Sequence, residues 1–344
     1  MGVFPTGAAG GPFGRRQATP RGARVPVVLV TGFLGAGKTT LIREFLGTEA
    51  GRGTAVVVNE FGEVGIDDAL LAPAAQGAGA GTVALLGNGC LCCAIRGEID
   101  TTFRALLADR ARGAVPPFRR VVLETSGADD PAPVLQTFLS ERALAREFHL
   151  QAVIAVVDAA SGAASLETAP EARRQVALAD RILLSKTDLA GEATALRAAL
   201  RALNPHAPIA LAARGRVDPE FLLAESTLLP RSALLADAPV HVAGLASFTL
   251  EFGQPMAWRT LTAALGLLTE LRGADLLRVK GLVAVEGCAG PVVVHAVQHV
   301  LHPPMELTAW PEGGPRTRLV FITRGGLSRE RVEAVFAAVL GVAG

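Results

Sequence analysis

With 344 residues, at roughly 150 per domain, the chain is long enough for about two domains, and 50% hydrophobic against 19% charged residues supplies sizeable cores. Thirty-three basic and 32 acidic residues leave a net charge of +1, which removes the electrostatic argument for a nucleic-acid or membrane-surface protein. Three of the four cysteines (Cys90, Cys92, Cys93) crowd into one turn where mutual disulfides would be strained, and no apolar run approaches the ~18 residues that span a bilayer, so a cytoplasmic protein is expected.

Residues 1–23 are Gly, Pro, Ala and Arg with no acid before Glu44, a composition that predicts a disordered tail. The same stretch lacks acids as a transit peptide does, but Gly and Pro break the amphipathic helix that such a peptide needs. From residue 24 to about 225, short apolar runs alternate with helical stretches: Val25–Thr31, Ala55–Val58, Thr82–Leu86, Val121–Leu123, Ala152–Val157, Ile182–Leu184 and Pro208–Leu211. Runs of this length without polar alternation suit strands buried on both faces, so a doubly wound, mostly parallel α/β sheet is predicted. A looser connector follows over 226–239. Residues 240–344 then read as a smaller α+β domain: a strand over His241–Glu251, a helix over Pro255–Arg272 with Pro in its first turn, strands at Leu276–Val285, Pro291–Val297, Met305–Trp310 and Arg318–Thr323, and a closing helix capped by Ser328.

The chemistry begins directly after the first run. Gly32-Phe-Leu-Gly-Ala-Gly37-Lys38-Thr39 fits the G-x-x-x-x-G-K-[ST] pattern between a strand and a helix, the setting in which a glycine-rich loop turns its N–H groups onto phosphate. Gly32, Gly35, Ala36, Gly37, Lys38, Thr39 and Thr40 are the expected phosphate-binding residues, with Lys38 on the β and γ phosphates and the Thr39 hydroxyl on Mg²⁺. Only Lys38, Lys186 and Lys280 are lysines in a chain that otherwise uses arginine for its basic residues, so a lysine is retained where a compact ammonium is needed. Lys186 lies in Ser185-Lys-Thr-Asp188 at the carboxyl end of a strand, where Asp188 can accept from both the ring N–H and the exocyclic amine of guanine. This resembles the N-K-x-D guanine motif with Ser for Asn, which removes one amide that would brace the site. Between these motifs, Glu124 ends a buried strand and Gly127 follows. The acid can orient a water on Mg²⁺ or the attacking water, and the glycine N–H can meet the γ-phosphate.

Gly89-Cys90-Leu-Cys92-Cys93 places three thiols in a glycine-rich turn, able to converge on Zn²⁺, Co²⁺ or Cu⁺. Three ligands leave the shell incomplete, which suits an ion that must leave again. Glu60, water or a client residue are candidates for the fourth position. Of the histidines, His295 and His299 are four apart but fall at a strand, where that spacing does not make a ligand pair.

The ordered set Gly-Phe-Leu-Gly-Ala-Gly-Lys-Thr-Thr at 32–40, Val-Asn-Glu-Phe-Gly at 58–62, Gly-Cys-Leu-Cys-Cys at 89–93, Glu-Thr-Ser-Gly at 124–127 and Ser-Lys-Thr-Asp at 185–188 resembles the CobW-type P-loop GTPases, related to the nickel-insertion GTPases of hydrogenase and urease. Leu277-Arg-Val-Lys280-Gly281 and Val320-Phe-Ile-Thr323 are similar to that family's second domain, so the resemblance covers residues 24–344. It implies a Mg²⁺-dependent hydrolase of GTP to GDP and a metallochaperone. Cys90, Cys92, Cys93 and Glu60 would hold a Zn²⁺ or Co²⁺ cargo for a metalloprotein client, with Asn59–Asp68 as a nucleotide-sensitive segment. Self-association is compatible with it. Two other readings use the same residues: a nucleotide-gated thiol redox sensor or binding protein, and a small-molecule P-loop kinase, against which Asp188 argues.

Overall fold

The computed structural model describes residues 24–58, 83–85, 94–190, 193–224, 240–242, 244–301, 304–307, 309–310 and 314–342. The tail, Asn59–Asp68 with Glu60, the cysteine turn and the connector therefore lie outside the described residues. The remainder forms two compact units, one within 24–224 and one within 240–342.

The first unit is built on a seven-stranded parallel sheet: β1 (Val25–Thr31), β2 (Thr54–Val58), β3 (Val83–Leu85), β4 (Arg120–Glu124), β5 (Phe148–Asp158), β6 (Arg181–Ser185) and β7 (Ile209–Leu211), in the spatial order β3-β2-β4-β1-β5-β6-β7. All its pairings are parallel, so the strands require crossovers. These are supplied by α1 (Lys38–Leu46), α2 (Ala94–Arg112), α3 (Ala132–Ser140), α4 (Arg142–Glu147), α5 (Gly162–Thr168), α6 (Pro170–Leu178) and α7 (Thr194–Leu203), with α8 (Pro219–Leu223) after the last strand. Continuous apolar runs are what a sheet covered on both faces demands. Val28, Val30, Val56, Val122, Ile154 and Val156 pack with Leu41, Ile42 and Phe45 of α1. Elsewhere in the unit, Phe103 of α2 meets Phe138 of α3 and Phe148 of β5 edge to face at 5.0 and 4.9 Å. The strand expected from Ala152 starts four residues earlier, because Phe148, His149 and Leu150 pair with Val25, Pro26 and Val27 of β1.

The second unit is an antiparallel sheet of β8 (Val240–Val242), β9 (Leu245–Phe252), β10 (Leu276–Val283), β11 (Val292–Val297), β12 (Val300–Leu301), β13 (Met305–Glu306) and β14 (Thr317–Arg324), with α9 (Trp258–Arg272) and α10 (Arg329–Val342). Phe248 and Phe321 stack at 5.4 Å and share a core with Leu261, Leu265 and Phe336 of the helices. Three expectations change. The strand read over His241–Glu251 is a hairpin, β8 pairing back onto β9, with Gly244 at φ +80° in the turn. The helix read from Pro255 starts at Trp258, because Met256 is held extended by hydrogen bonds to Ala284 and Glu286 at the end of β10. The strand read over Met305–Trp310 is two residues long: β13 pairs with Val292 and Val293, and Leu307 then turns its N–H to Pro291. Ser328 precedes α10 as expected, its carbonyl accepting the Val332 N–H at 3.2 Å. No helix among the described residues is long and apolar enough to cross a membrane.

Candidate nucleotide site

Strands β1, β4, β5 and β6 end at the same edge of the sheet, and the motif residues follow those ends. After β1 the backbone turns at Gly32, whose φ of +147° and whose approach to the Val156 carbonyl, 2.2 Å from where a Cβ would stand, admit no side chain. Gly37 sits at φ +91° as the N-cap of α1. The loop thus delivers its N–H groups and the positive end of the α1 dipole to one concavity, the arrangement that binds phosphate. Lys38 opens α1, is 8% exposed, and donates from Nζ to the Gly32 carbonyl at 3.0 Å and towards that of Phe33 at 3.5 Å.

Next to it, the Thr39 hydroxyl donates to Glu124 Oε1 at 3.0 Å. The pairing follows from register: Val30 lies opposite Glu124, and the two strand ends are tied by the Thr125 hydroxyl donating to that of Thr31 at 2.9 Å. The two residues expected to face Mg²⁺ are therefore adjacent, and both offer hard oxygen donors. Gly127 lies against the phosphate loop: a Cβ there would stand 2.7 Å from the Leu34 nitrogen. Its carbonyl accepts from Gln175 Nε2 of α6 at 3.2 Å, which also donates to the Asp129 carbonyl at 3.0 Å.

At the end of β6, Ser185 does work that its substitution for Asn seemed to remove. Its hydroxyl donates to the Ala36 carbonyl at 2.6 Å, joining the Ser-Lys-Thr-Asp turn to the phosphate loop. Lys186 has a left-handed backbone, φ 54°, and its ammonium pairs with Asp158 Oδ2 at 2.8 Å. Burial alone would push the Asp158 carboxyl up. The Lys186 hydrogen bond, the Ala160 N–H, the Ser161 hydroxyl and the Lys186 charge together hold it below its usual range. Thr187 donates its hydroxyl to the Ala212 carbonyl at 3.1 Å, and Asp188 Oδ1 accepts the Arg214 N–H at 3.2 Å. The phosphate loop, the Glu124 strand end and the Ser185–Asp188 turn thus converge.

Asp158, Gln175, Asp129 and the 212–214 loop were not singled out in sequence. Asp158 had a signal, an acid closing a buried apolar strand. Gln175 had none, since its partners lie almost fifty residues away. Among the described residues no group of His, Cys, Asp and Glu is arranged to hold a metal. His299 serves the end of α9, with Nδ1 2.9 Å from the Thr269 carbonyl. Cys288 packs at the core of the second unit, its thiol pushed up to about 11 by burial and by Glu306, so it carries no reactive thiolate.

A parallel sheet with a G-x-x-x-x-G-K-T loop after its central strand, and an acid on the adjacent strand that accepts from the loop's threonine, defines a P-loop nucleotide-binding protein. More narrowly, the chain belongs to the CobW/HypB/UreG family, whose nucleotide-binding domain matches residues 26–210, with the cobalamin synthesis protein CobW C-terminal domain matching 245–340. It is 35% identical over 325 residues to the zinc chaperone YjiA of Escherichia coli, across 92% of this chain and 98% of that protein. It is 34% identical to the zinc chaperone CobW of Pseudomonas aeruginosa, across 80% of this chain and 81% of that one. A crystal structure of the Zn(II)-bound YjiA GTPase from E. coli superposes with a TM-score of 0.70 at 29% identity, covering 92% of this chain and 99% of that one.

Proposed function

We propose that this chain is a Mg²⁺-dependent GTPase whose nucleotide state controls the capture and release of zinc for a metalloprotein client. The observation that carries the reading is the convergence of three elements at one sheet edge: the phosphate loop with Lys38, the Thr39–Glu124 pair, and the Ser185–Asp188 turn tied to that loop through Ala36. Thr39 and Glu124 would hold Mg²⁺ directly or through water, and the ion would neutralise charge developing on the β and γ phosphates. Lys38, Gly32, Gly35, Ala36, Gly37 and Thr40 cradle the phosphates, Gly127 reports on the γ-phosphate, and Asp188 reads guanine with Lys186 beside it. Relatives named as zinc chaperones, and yeast relatives named as zinc-regulated GTPase metalloprotein activators, support zinc as the cargo. Cys90, Cys92 and Cys93 are the cargo ligands in this reading, with Glu60 linking them to the nucleotide.

Titrating Zn²⁺ against a competing chelator with GDP and with a non-hydrolysable GTP analogue tests it. Tighter zinc binding with the GTP analogue is expected, by about 5 to 150-fold for a typical coupling, with the same factor by which zinc tightens the nucleotide. Zinc affinities that agree within about twofold would leave two independent sites and no chaperone cycle.

A further inference from the structure

The Ser185–Asp188 turn is strained at its second residue. Lys186 stands at φ 54°, a left-handed conformation that is costly for a residue with a Cβ and easier for glycine or asparagine. Its carbonyl accepts the Leu189 N–H at 2.9 Å, so the backbone that carries Asp188 is closed from this residue. A lysine also has much side-chain freedom to lose. Among the described residues its ammonium has one hydrogen-bond partner, Asp158 Oδ2 at 2.8 Å, with 38% of the lysine side chain and 11% of the aspartate side chain exposed.

Asp158 is oriented independently of that lysine. Its Oδ1 accepts the N–H groups of Ala160 at 2.8 Å and Ser161 at 3.4 Å, and its Oδ2 accepts the Ser161 hydroxyl at 2.9 Å. It ends β5 in register with Ser185, the last residue of β6, and the Ala159 N–H donates to the Ser185 carbonyl at 2.9 Å. The two strands are already paired along the whole of β6, so an ion pair is not needed to join them. What it adds is the placement of Lys186.

We propose that Asp158 is a positioning residue for guanine recognition: its ion pair holds Lys186 in the left-handed conformation that presents Asp188 to the base. The proposal rests on Asp188 reading guanine, as in the function proposed above. Without the pair, Lys186 relaxes towards an ordinary backbone conformation and draws Asp188, two residues on, away from the two guanine donors. The phosphate loop keeps its own tie to the turn, from the Ser185 hydroxyl to the Ala36 carbonyl, which lies upstream of the relaxed residue.

The test is calorimetric binding of GDP and ADP by the full chain and by Asp158→Asn, Asp158→Ser, Lys186→Met and the double variant of Asp158→Asn with Lys186→Met, alongside GTP turnover at saturation. Asparagine has one acceptor oxygen, which the Ala160 and Ser161 N–H groups claim, and a serine hydroxyl can keep the Ala160 N–H but falls short of the ammonium. Either variant therefore frees Lys186 with the local turn intact. Each should bind GDP about tenfold more weakly, with ADP affinity and saturated turnover within about threefold of the parent. In the Lys186→Met background, Asp158→Asn should cost no more than about twofold, because the group it acts through has gone. GDP and ADP affinities falling together, as a structural role requires, would overturn the assignment. So would GDP affinity unchanged in both Asp158 variants, or a tenfold loss that persists in the Lys186→Met background. A parent chain that binds GDP and ADP equally would overturn the guanine reading and this assignment with it, and is distinguished by appearing without any substitution.

Discussion

In the proposed function Asp188 carries the choice of base. Its carboxylate is braced by the Arg214 N–H and lies within 3.9 Å of the Arg214 guanidinium, so it is oriented before any nucleotide arrives. Asp188→Ala removes the acceptor for two guanine donors, and leaving those donors unpaired should cost about 2–3 kcal/mol, a roughly 30- to 160-fold loss of GTP affinity with much less effect on ATP. Competition between the two nucleotides, measured on both proteins, checks this. Lys38→Ala should differ in kind, abolishing hydrolysis whichever base is present, because phosphate charge is no longer neutralised. The phosphate loop and the Asp188 turn were legible in sequence because their residue types are dictated by local geometry: positive φ at Gly32 and Gly37, and one carboxylate following a strand. Asp129 was not. Asp129-Asp130-Pro131 reads as an ordinary polar turn, and neither the burial of the first acid nor the Gln175 amide on its carbonyl, distant in sequence, shows in the local pattern.

At the scale of elements, the loop after β4 joins the Thr39–Glu124 pair to the phosphate loop and to α3. It begins at Glu124, which accepts from Thr39, passes Gly127 against Leu34, and ends where Asp130 receives the first turn of α3. Gly127→Ala would place a methyl 2.7 Å from a backbone nitrogen that cannot yield without moving the phosphate loop. The expected outcome is hydrolysis reduced by at least about tenfold with GDP affinity largely kept, since the proposed function has Gly127 meeting the γ-phosphate, which GDP lacks; paired turnover and GDP-binding measurements decide it. Elements of the parallel sheet were legible because each is a continuous apolar run, and helices follow β1, β3 and β4 among the described residues. The second unit was less so. An antiparallel hairpin hides inside one long strand signal when, as at Gly244, a glycine makes the turn, and Met256 stays extended because the segment following β10 offers it Ala284 and Glu286. Neither partner can be seen from the local pattern around Pro255.

For the whole molecule, metal handling and nucleotide handling should be separable by substitution and coupled by energy. Replacing Cys90, Cys92 and Cys93 together by Ser should remove about one tightly bound zinc ion per chain and leave GTP affinity within about threefold in zinc-free buffer. Zinc binding by the parent should weaken as pH falls from 8 to 6, because protons compete for thiolates whose free thiols titrate near 8.5. Metal analysis after gel filtration, repeated across that pH range, reads both; stoichiometric zinc retained by the triple variant would place the cargo elsewhere. The order of the first sheet has a separate consequence, for how the chain is made. β1 is its central strand, yet its partners β4 and β5 are encoded far downstream. On the ribosome, at about 5–20 residues per second, the valine-rich segment Val25–Val30 must wait on the order of ten seconds for its neighbours. During that interval it is an unpaired apolar strand exposed to any edge it meets. The nascent chain should therefore depend on shielding until Asp158 has emerged, and shorter fragments that end before β5 should aggregate instead of folding to a smaller sheet.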